Sequence, residues 1–322
     1  MLSAAAASFV TEMAMAHVPV LTQELLDLLD VHAHSRVIDC TFGSGGHAAA
    51  VGAELGRRGE LVACDQDPVA EDYYFDLKAD LHCRSRFLLG NFADTLTELA
   101  SEGFRATHIY MDLGLSSMQI DTAERGFSYS YDAPLDMRMN PTLAVTAADI
   151  VNTWPEAELA TLFSRYGEER YSRRIARAIV SRRERAPYSR TCELVETIKW
   201  AIPTPARFGA GNPARRVFQA LRIEVNDELN SLRRALPLAF SLLEPGGVLA
   251  VISFHSLEDR MVKEFFAGNA RACTCPPEFP ICVCGGKATG EVLTPKPVIP
   301  GLRELELNPR SASAKLRAQR RL

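Results

Sequence analysis

The sequence predicts an α/β protein with a doubly wound, mainly parallel sheet into which an all-helical subdomain is inserted, and three observations carry that expectation. Four short apolar runs, RVIDCTFG, LVACDQD, RFLLGN and THIYMDLG, alternate with helical stretches between Arg36 and Gly114. Apolar runs of this length flanked by helical patterns are what strands buried on both faces require. The alternation stops near Ile120 and resumes only at the helical stretch VNDELNSLRRALPLAFSLL, where Glu244-Pro245-Gly246-Gly247 is a stop signal ahead of the strand VLAVISF. The intervening stretches TAADIVNTW, EAELATLFSRYG, SRRIARAIVSRRE and TCELVETIKWAI have helical periodicity, and no strand pattern stands among them. A chain of 322 residues is long enough for two such compact units.

In chain order, residues 1–16 read as a disordered leader. They lack a basic segment and carry Glu12, so they are no signal peptide, and Met13 or Met15 suits a start codon. Residues 17–120 are read as the first part of the sheet domain and 121–222 as a helical insertion serving RNA or substrate recognition. Residues 223–322 are its second part, with the helix SLEDRMVKEFFAG, a cysteine-rich loop, a strand at EVLTPKP and a basic tail. No stretch reaches the roughly 18 uncharged apolar residues that a membrane-spanning helix needs. Eight cysteines are too sparse for a disulfide scaffold, which suits a reducing cytoplasm and no membrane partner.

The chemistry gathers at predicted strand ends. In DCTFGSGGHAAA, Gly43, Gly45 and Gly46 lie between a strand and a helix, where glycine permits a tight turn and close approach of a ligand. Asp65 follows Gly43 by 22 residues at the end of the next strand, the place of an acid that binds ribose hydroxyls. Asp39, leading into the loop, suits either a turn or a grip on the amino-acid portion of a nucleoside cofactor. Phe92 after the third strand suits stacking beside an adenine or a place in the core. Asp112 and Gln119 bound the segment DLGLSSMQ after the fourth strand, and SFHS, with His255, follows the fifth. Ligands of open α/β sheets bind outside these carboxyl ends.

Together HVPVL, DCTFGSGGH, DLGLSSMQ, ERGFSYSYDAPLDMRM, VFQALRIEVNDEL, SFHSLEDR and NPRSASAKLRA resemble the RsmH family, formerly called MraW, over almost the whole chain from His17. The resemblance implies a class I S-adenosylmethionine-dependent methyltransferase, a Rossmann-like sheet with an inserted helical subdomain. The family's activity is N4-methylation of a P-site cytidine in 16S ribosomal RNA of the small subunit. It assigns Gly45, Gly46, His47, Asp65, Phe92, Asp112 and Gln119 to S-adenosyl-L-methionine; the role of His47 rests on the resemblance alone. Family members often carry a small hydroxyl residue where this chain has Ala48.

Cytosine N4 is a poor nucleophile because its lone pair delocalises into the ring, so acceptors at the amine are needed. Asp112, Ser116 and Ser117 are the candidates, with His255 second. Two rivals stay open on the residues alone. One is an NAD-dependent oxidoreductase, because Gly43, Gly45 and Ala48 also fit G-x-G-x-x-G/A; the other is a noncatalytic RNA-binding assembly factor. No second nucleotide-binding half follows, which weighs against the first, and the intact loop weighs against the second.

The net charge of −4 argues nothing for RNA, but its distribution does. Arg165 to Arg190 holds nine arginines against three glutamates, interleaved with Tyr166, Tyr171 and Tyr188, and residues 310–322 hold five basic residues and no acid. Arginine without lysine in the first run suits phosphate recognition and base stacking better than a merely solvated face. Cys273, Cys275, Cys282 and Cys284 supply four thiols, but C-x-C pairs are not usual zinc spacing, and well under one zinc per chain is expected. The oligomeric state, a homodimer included, is open.

Overall fold

The computed structural model describes residues 19–204, 212–273, 275 and 286–322. The expected leader and Cys282 and Cys284 therefore lie outside the described residues. Two compact units result: residues up to Gly114 together with Ser231–Leu322, and Leu115–Asn230. This division is wider at both ends than the insertion drawn at 121–222.

The first unit is a seven-stranded sheet: β1 Arg36–Asp39, β2 Glu60–Asp65, β3 Arg84–Leu89, β4 Ala106–Asp112, β5 Leu243–Ser253, β6 Gly290–Val292 and β7 Lys315–Arg321. The order is β3-β2-β1-β4-β5-β7-β6. The first five strands pair in parallel, while β7 runs antiparallel between β5 and β6. Strand order reverses between β1 and β4, which opens a crevice outside their carboxyl ends. Ile38, Val62, Ile109, Leu249 and Val251 are buried in one core with Leu96, Leu99, Leu236 and Phe266 from covering helices. Val37, Leu61, Ala63 and Tyr110, on the opposite face of the same strands, are buried as well, and this two-sided burial is why the strands read as continuous apolar runs.

Two expectations are corrected. The helix read from Val225 is two elements: Val225 ends the helix Ala214–Val225, Asp227 takes a left-handed backbone at φ 49°, and a new helix runs Glu228–Leu242. The basic tail is β7, an interior strand whose Leu316 and Ala318 are fully buried. Its charges are paired within the unit, Arg317 in the interior and Arg320 at the surface. Arg317 Nε donates to Asp259 Oδ1 at 2.6 Å and Lys315 Nζ to Asp259 Oδ2 at 2.9 Å. Arg321 caps the carbonyls of Ser241 and Leu243, and Arg320 pairs with Glu291. Burial alone would raise the Asp259 carboxyl; the bonds from Arg317 and Lys315 outweigh it and hold the group below the usual range. Arg317 and Asp259 are 9% and 13% exposed, so Arg317→Ala is expected to cost about 1.5–3 kcal/mol, the loss of one charged hydrogen bond, with Lys315 left as the carboxylate's partner. Urea denaturation of the variant measures this.

The second unit is helical, with Ala147–Thr153, Glu156–Arg165, Ser172–Arg183, Thr191–Ala201 and Ala214–Val225 around a core that includes Leu159, Phe163, Ile175, Ile179, Leu194, Ile198 and Leu221. Asn226 ties the preceding loop to it: its amide donates to the Met137 carbonyl at 2.8 Å and accepts from the Met139 N–H at 2.7 Å. No helix among the described residues is long and apolar enough to cross a membrane.

Candidate active site

At the carboxyl end of β1 the chain turns through 40–45 into the helix Gly46–Glu54. Gly43 and Gly45 take φ of 56° and 82°, and a Cβ on Gly45 would stand 2.8 Å from the Phe42 ring. Glycine is thus required twice, by backbone and by space. Gly45→Ala is expected to destabilise the fold by about 1–2 kcal/mol and to weaken cofactor binding with it, both readable by thermal denaturation with and without ligand. A Cβ on Gly46 would press on Pro19 at 3.0 Å, so the loop is packed from behind as well.

Asp65, at the end of β2, holds this loop. Its Oδ2 accepts the Gly43 N–H at 2.7 Å and its Oδ1 the Asp67 N–H at 2.9 Å. Burial pushes its carboxyl up to about 6 against those bonds. The Gln66 N–H also acts on this carboxyl, and two oxygens with about four lone-pair sites still leave an acceptor for ribose hydroxyls. Phe92 opens the helix Phe92–Ser101 directly after β3, capped by Asn91, and packs half-buried against the core.

Asp39, for which the sequence suits either a turn or a grip on the amino-acid portion of the cofactor, leads into the loop. It is 1% exposed, accepts the Tyr110 hydroxyl at 2.7 Å and the Thr41 N–H at 3.0 Å, and is pushed up to about 7 by burial. Tyr110, on β4, was missed because a tyrosine inside an apolar run reads as core. Thr41 ties the same two strands, its Oγ1 accepting the Asp112 N–H at 2.6 Å. His47, 7% exposed, has Nε2 at 2.9 Å from the Val20 carbonyl, so that nitrogen carries the proton. Nδ1 then faces Asp112 Oδ2 at 3.5 Å as a lone pair, and burial lowers the affinity of the ring for a second proton.

Asp112 closes β4. Burial, and then the charge of Glu258, push its carboxyl up to about 7, and its buried Oδ1 has no hydrogen-bond partner among the described residues. A buried acceptor left unmade costs about 1–3 kcal/mol, so the site is built for a donor that arrives with a ligand. This orphaned oxygen and the glycine cradle both fit a bound nucleoside cofactor and an amine beside it. His255, after β5, caps the helix Ser256–Ala270: its Nδ1 accepts the Glu258 N–H at 3.4 Å. Glu258 Oε2 in turn accepts the Phe254 and His255 N–H groups, and Oε1 lies 3.1 Å from His255 Nε2. Glu258, 2% exposed, was missed because S-L-E-D reads as an ordinary helix start.

Ser116, Ser117 and Gln119 belong to the second unit. Ser116 caps the short helix Ser117–Asp121 in a reciprocal box, Oγ accepting the Gln119 N–H at 3.4 Å while Gln119 Oε1 accepts the Ser116 N–H at 3.2 Å. The Ser116 hydroxyl thus has a structural task that the sequence reading did not foresee. The helix begins at Ser117, whose side chain lies outside the described ones. In the first unit, then, Gly43, Gly45, Gly46, His47, Asp65, Phe92, Asp112 and His255 all stand on or directly after the carboxyl ends of β1 to β5.

The arginine run of the second unit divides. Arg182 pairs with Glu193 at 3.1 Å, Arg183 caps the carbonyls of Val151 and Trp154, and Arg190 pairs with Asp132 at 2.7 Å. Tyr188, read as part of a nucleic-acid surface, is instead 2% exposed with its hydroxyl on Thr197 at 2.8 Å. Arg170, Arg173, Arg174 and Arg177 remain exposed.

Residues 14–322 match the MraW methylase family. The ribosomal RNA small subunit methyltransferase H of Heliobacterium modesticaldum is 48% identical over 308 residues, 95% of this chain and 98% of that protein. Its namesake from Symbiobacterium thermophilum is 49% identical over 312 residues, 95% and 96% of the two chains. A solved structure of a putative rRNA-methylase from Clostridium thermocellum aligns over 94% of this chain and 95% of its own at 11% identity and a TM-score of 0.43. The chain therefore belongs to the MraW methylase family and is a methyltransferase that uses S-adenosyl-L-methionine.

Proposed function

We propose that this methyltransferase transfers the methyl group of S-adenosyl-L-methionine to the N4 amine of a P-site cytidine in 16S ribosomal RNA, acting on the small ribosomal subunit in the cytoplasm. The observation that carries the reading is Asp112: a carboxyl at the strand-order reversal, with one buried oxygen unpaired among the described residues and its proton affinity raised to about 7. The sulfonium supplies an electrophilic methyl carbon. The protein's task is to hold the nucleophile in line, about 3–3.5 Å away, and to localise its lone pair.

Asp65 and the Gly43–Gly46 loop hold the nucleoside end of the cofactor, and Phe92 follows the third strand where an adenine would stack. Asp112 accepts an N–H of the amine, which draws the nitrogen lone pair out of the ring; as the N–C bond forms and the S–C bond breaks, the amine proton passes to that carboxylate. His47, neutral with its ring proton on the Val20 carbonyl, presents no proton to Asp112, which leaves that carboxylate free to accept one from the amine. The base must leave its stack to reach this site, so the target lies at a non-helical or distorted position. Membership of a methylase family leaves the oxidoreductase and the noncatalytic factor without support.

Nucleoside mass spectrometry of small-subunit RNA treated with the protein tests the reading. N4-methylcytidine is the expected product. Appearance of 5-methylcytidine instead would overturn the mechanism, since carbon methylation generally needs a cysteine nucleophile and none stands in DLGLSSMQ.

A further inference from the structure

The helices Glu156–Arg165 and Ser172–Arg183 of the second unit enclose a cleft of about 610 Å³ between them. Its lining includes Glu156, Thr161, Ser164, Arg165, Arg173 and Arg177. Arg173 has no side-chain partner among the described residues. Arg165 lies over the Tyr166 ring at 5.3 Å, an arrangement that leaves its guanidinium edge open to an anion. Among the described residues Arg177 is held only by Glu156 at 3.6 Å, an exposed pair of the kind that a stronger anion displaces. Ser164 adds a hydroxyl donor.

We propose that this cleft seats the phosphodiester backbone of the RNA substrate, an inference that rests on the RNA-methylation reading and adds a site to it. Three guanidiniums against one carboxylate favour an anion, and arginine's planar fork fits phosphate oxygens two at a time. Arg173 and Arg177 stand four residues apart on one helix, about 6 Å along its axis, a spacing close to that of neighbouring phosphates on one strand. Glu156 is the one carboxylate of this lining, and an incoming phosphate takes its place on Arg177. The neighbouring Arg182, Arg183 and Arg190 are committed to internal partners and take no part. Phosphate contacts set register without reading sequence; base identity stays with the methyl-transfer site.

The double variant Arg173→Gln, Arg177→Gln is to be compared with the wild type by filter binding to small-subunit RNA over a salt series, and by single-turnover methylation. The expected result is RNA affinity about tenfold weaker, with the slope of log K against log salt shallower by about 1.4, two contacts at about 0.7 each on a single strand. The plateau methylation rate and the cofactor affinity are expected to stay at wild-type values. Thr161→Glu, which keeps every arginine but puts a charge in the cleft, is expected to weaken RNA binding likewise. Arg174→Gln, on the same helix but outside the lining, is expected to behave as wild type. Unchanged affinity and slope in the double variant, or an Arg174→Gln loss as large as that of Arg173→Gln alone, would overturn the seat. So would saturable binding of inorganic phosphate that the double variant loses while its RNA affinity is intact, because the cleft would then be a free-anion site. Filter binding needs no methyl transfer, so wild-type protein that binds RNA through these arginines yet yields no N4-methylcytidine would sink the function and leave the cleft standing.

Discussion

Asp112→Asn is expected to lower single-turnover methylation at saturating RNA by about a hundredfold or more, while RNA affinity changes little. The substitution keeps the shape of the side chain and removes the charged acceptor that localises the amine's lone pair. The pH profile gives a second readout. With the Asp112 carboxyl raised to about 7, the carboxylate form grows as pH rises, so the wild-type rate should climb through neutrality and level off above it. In the Asn variant that rise should vanish. Stability should run the other way: a carboxyl whose proton affinity is raised on folding contributes fully below its unfolded value near 4 and loses that contribution as pH rises through about 7. Asp39 and Asp112 both behave so. The ligand-free protein is therefore expected to lose melting temperature from pH 5 to pH 8, and Asp39→Asn to lessen the loss. A defect of Asp112→Asn confined to cofactor affinity would make the residue a cofactor ligand only.

Asp65→Ala is expected to weaken S-adenosyl-L-methionine binding by roughly tenfold to a hundredfold, since charged hydrogen bonds are worth about 1.5–3 kcal/mol each. Part of that loss is indirect. Asp65 Oδ2 holds the Gly43 N–H, so the variant frees the glycine turn as well as removing acceptors for the ribose. Asp65→Asn keeps the shape with a single acceptor oxygen, enough for the N–H of Gly43 or of Asp67 but not both, so an affinity between those of Ala and the wild type is expected. Calorimetry on the three proteins decides, and an unchanged affinity in Asp65→Ala would remove the nucleoside end of the cofactor from this loop.

The sequence by itself determined the parallel strands, the glycine turn, and the acids at the ends of β2 and β4. Strands buried on both faces must be apolar without interruption, and a backbone at φ 82° with an aromatic ring 2.8 Å from the missing Cβ admits only glycine, so both leave a local mark. The helical insertion was legible for the same reason, through the 3.6-residue period of its stretches. What tertiary structure decided has no local signature. In β7 the segment KLRAQRR reads as a basic tail because its arginines are neutralised by Asp259, Glu291 and carbonyls that lie far off in the sequence. The bond between Tyr110 and Asp39, 71 residues apart, and the pressure of Glu258 on Asp112 exist only because strands adjoin that the chain separates. Likewise Arg182 and Arg183 became structural and Arg173 stayed open according to which partner each met on folding. Charge and polarity are local properties of a residue, but their cost or use depends on burial and pairing, which only the assembled fold supplies.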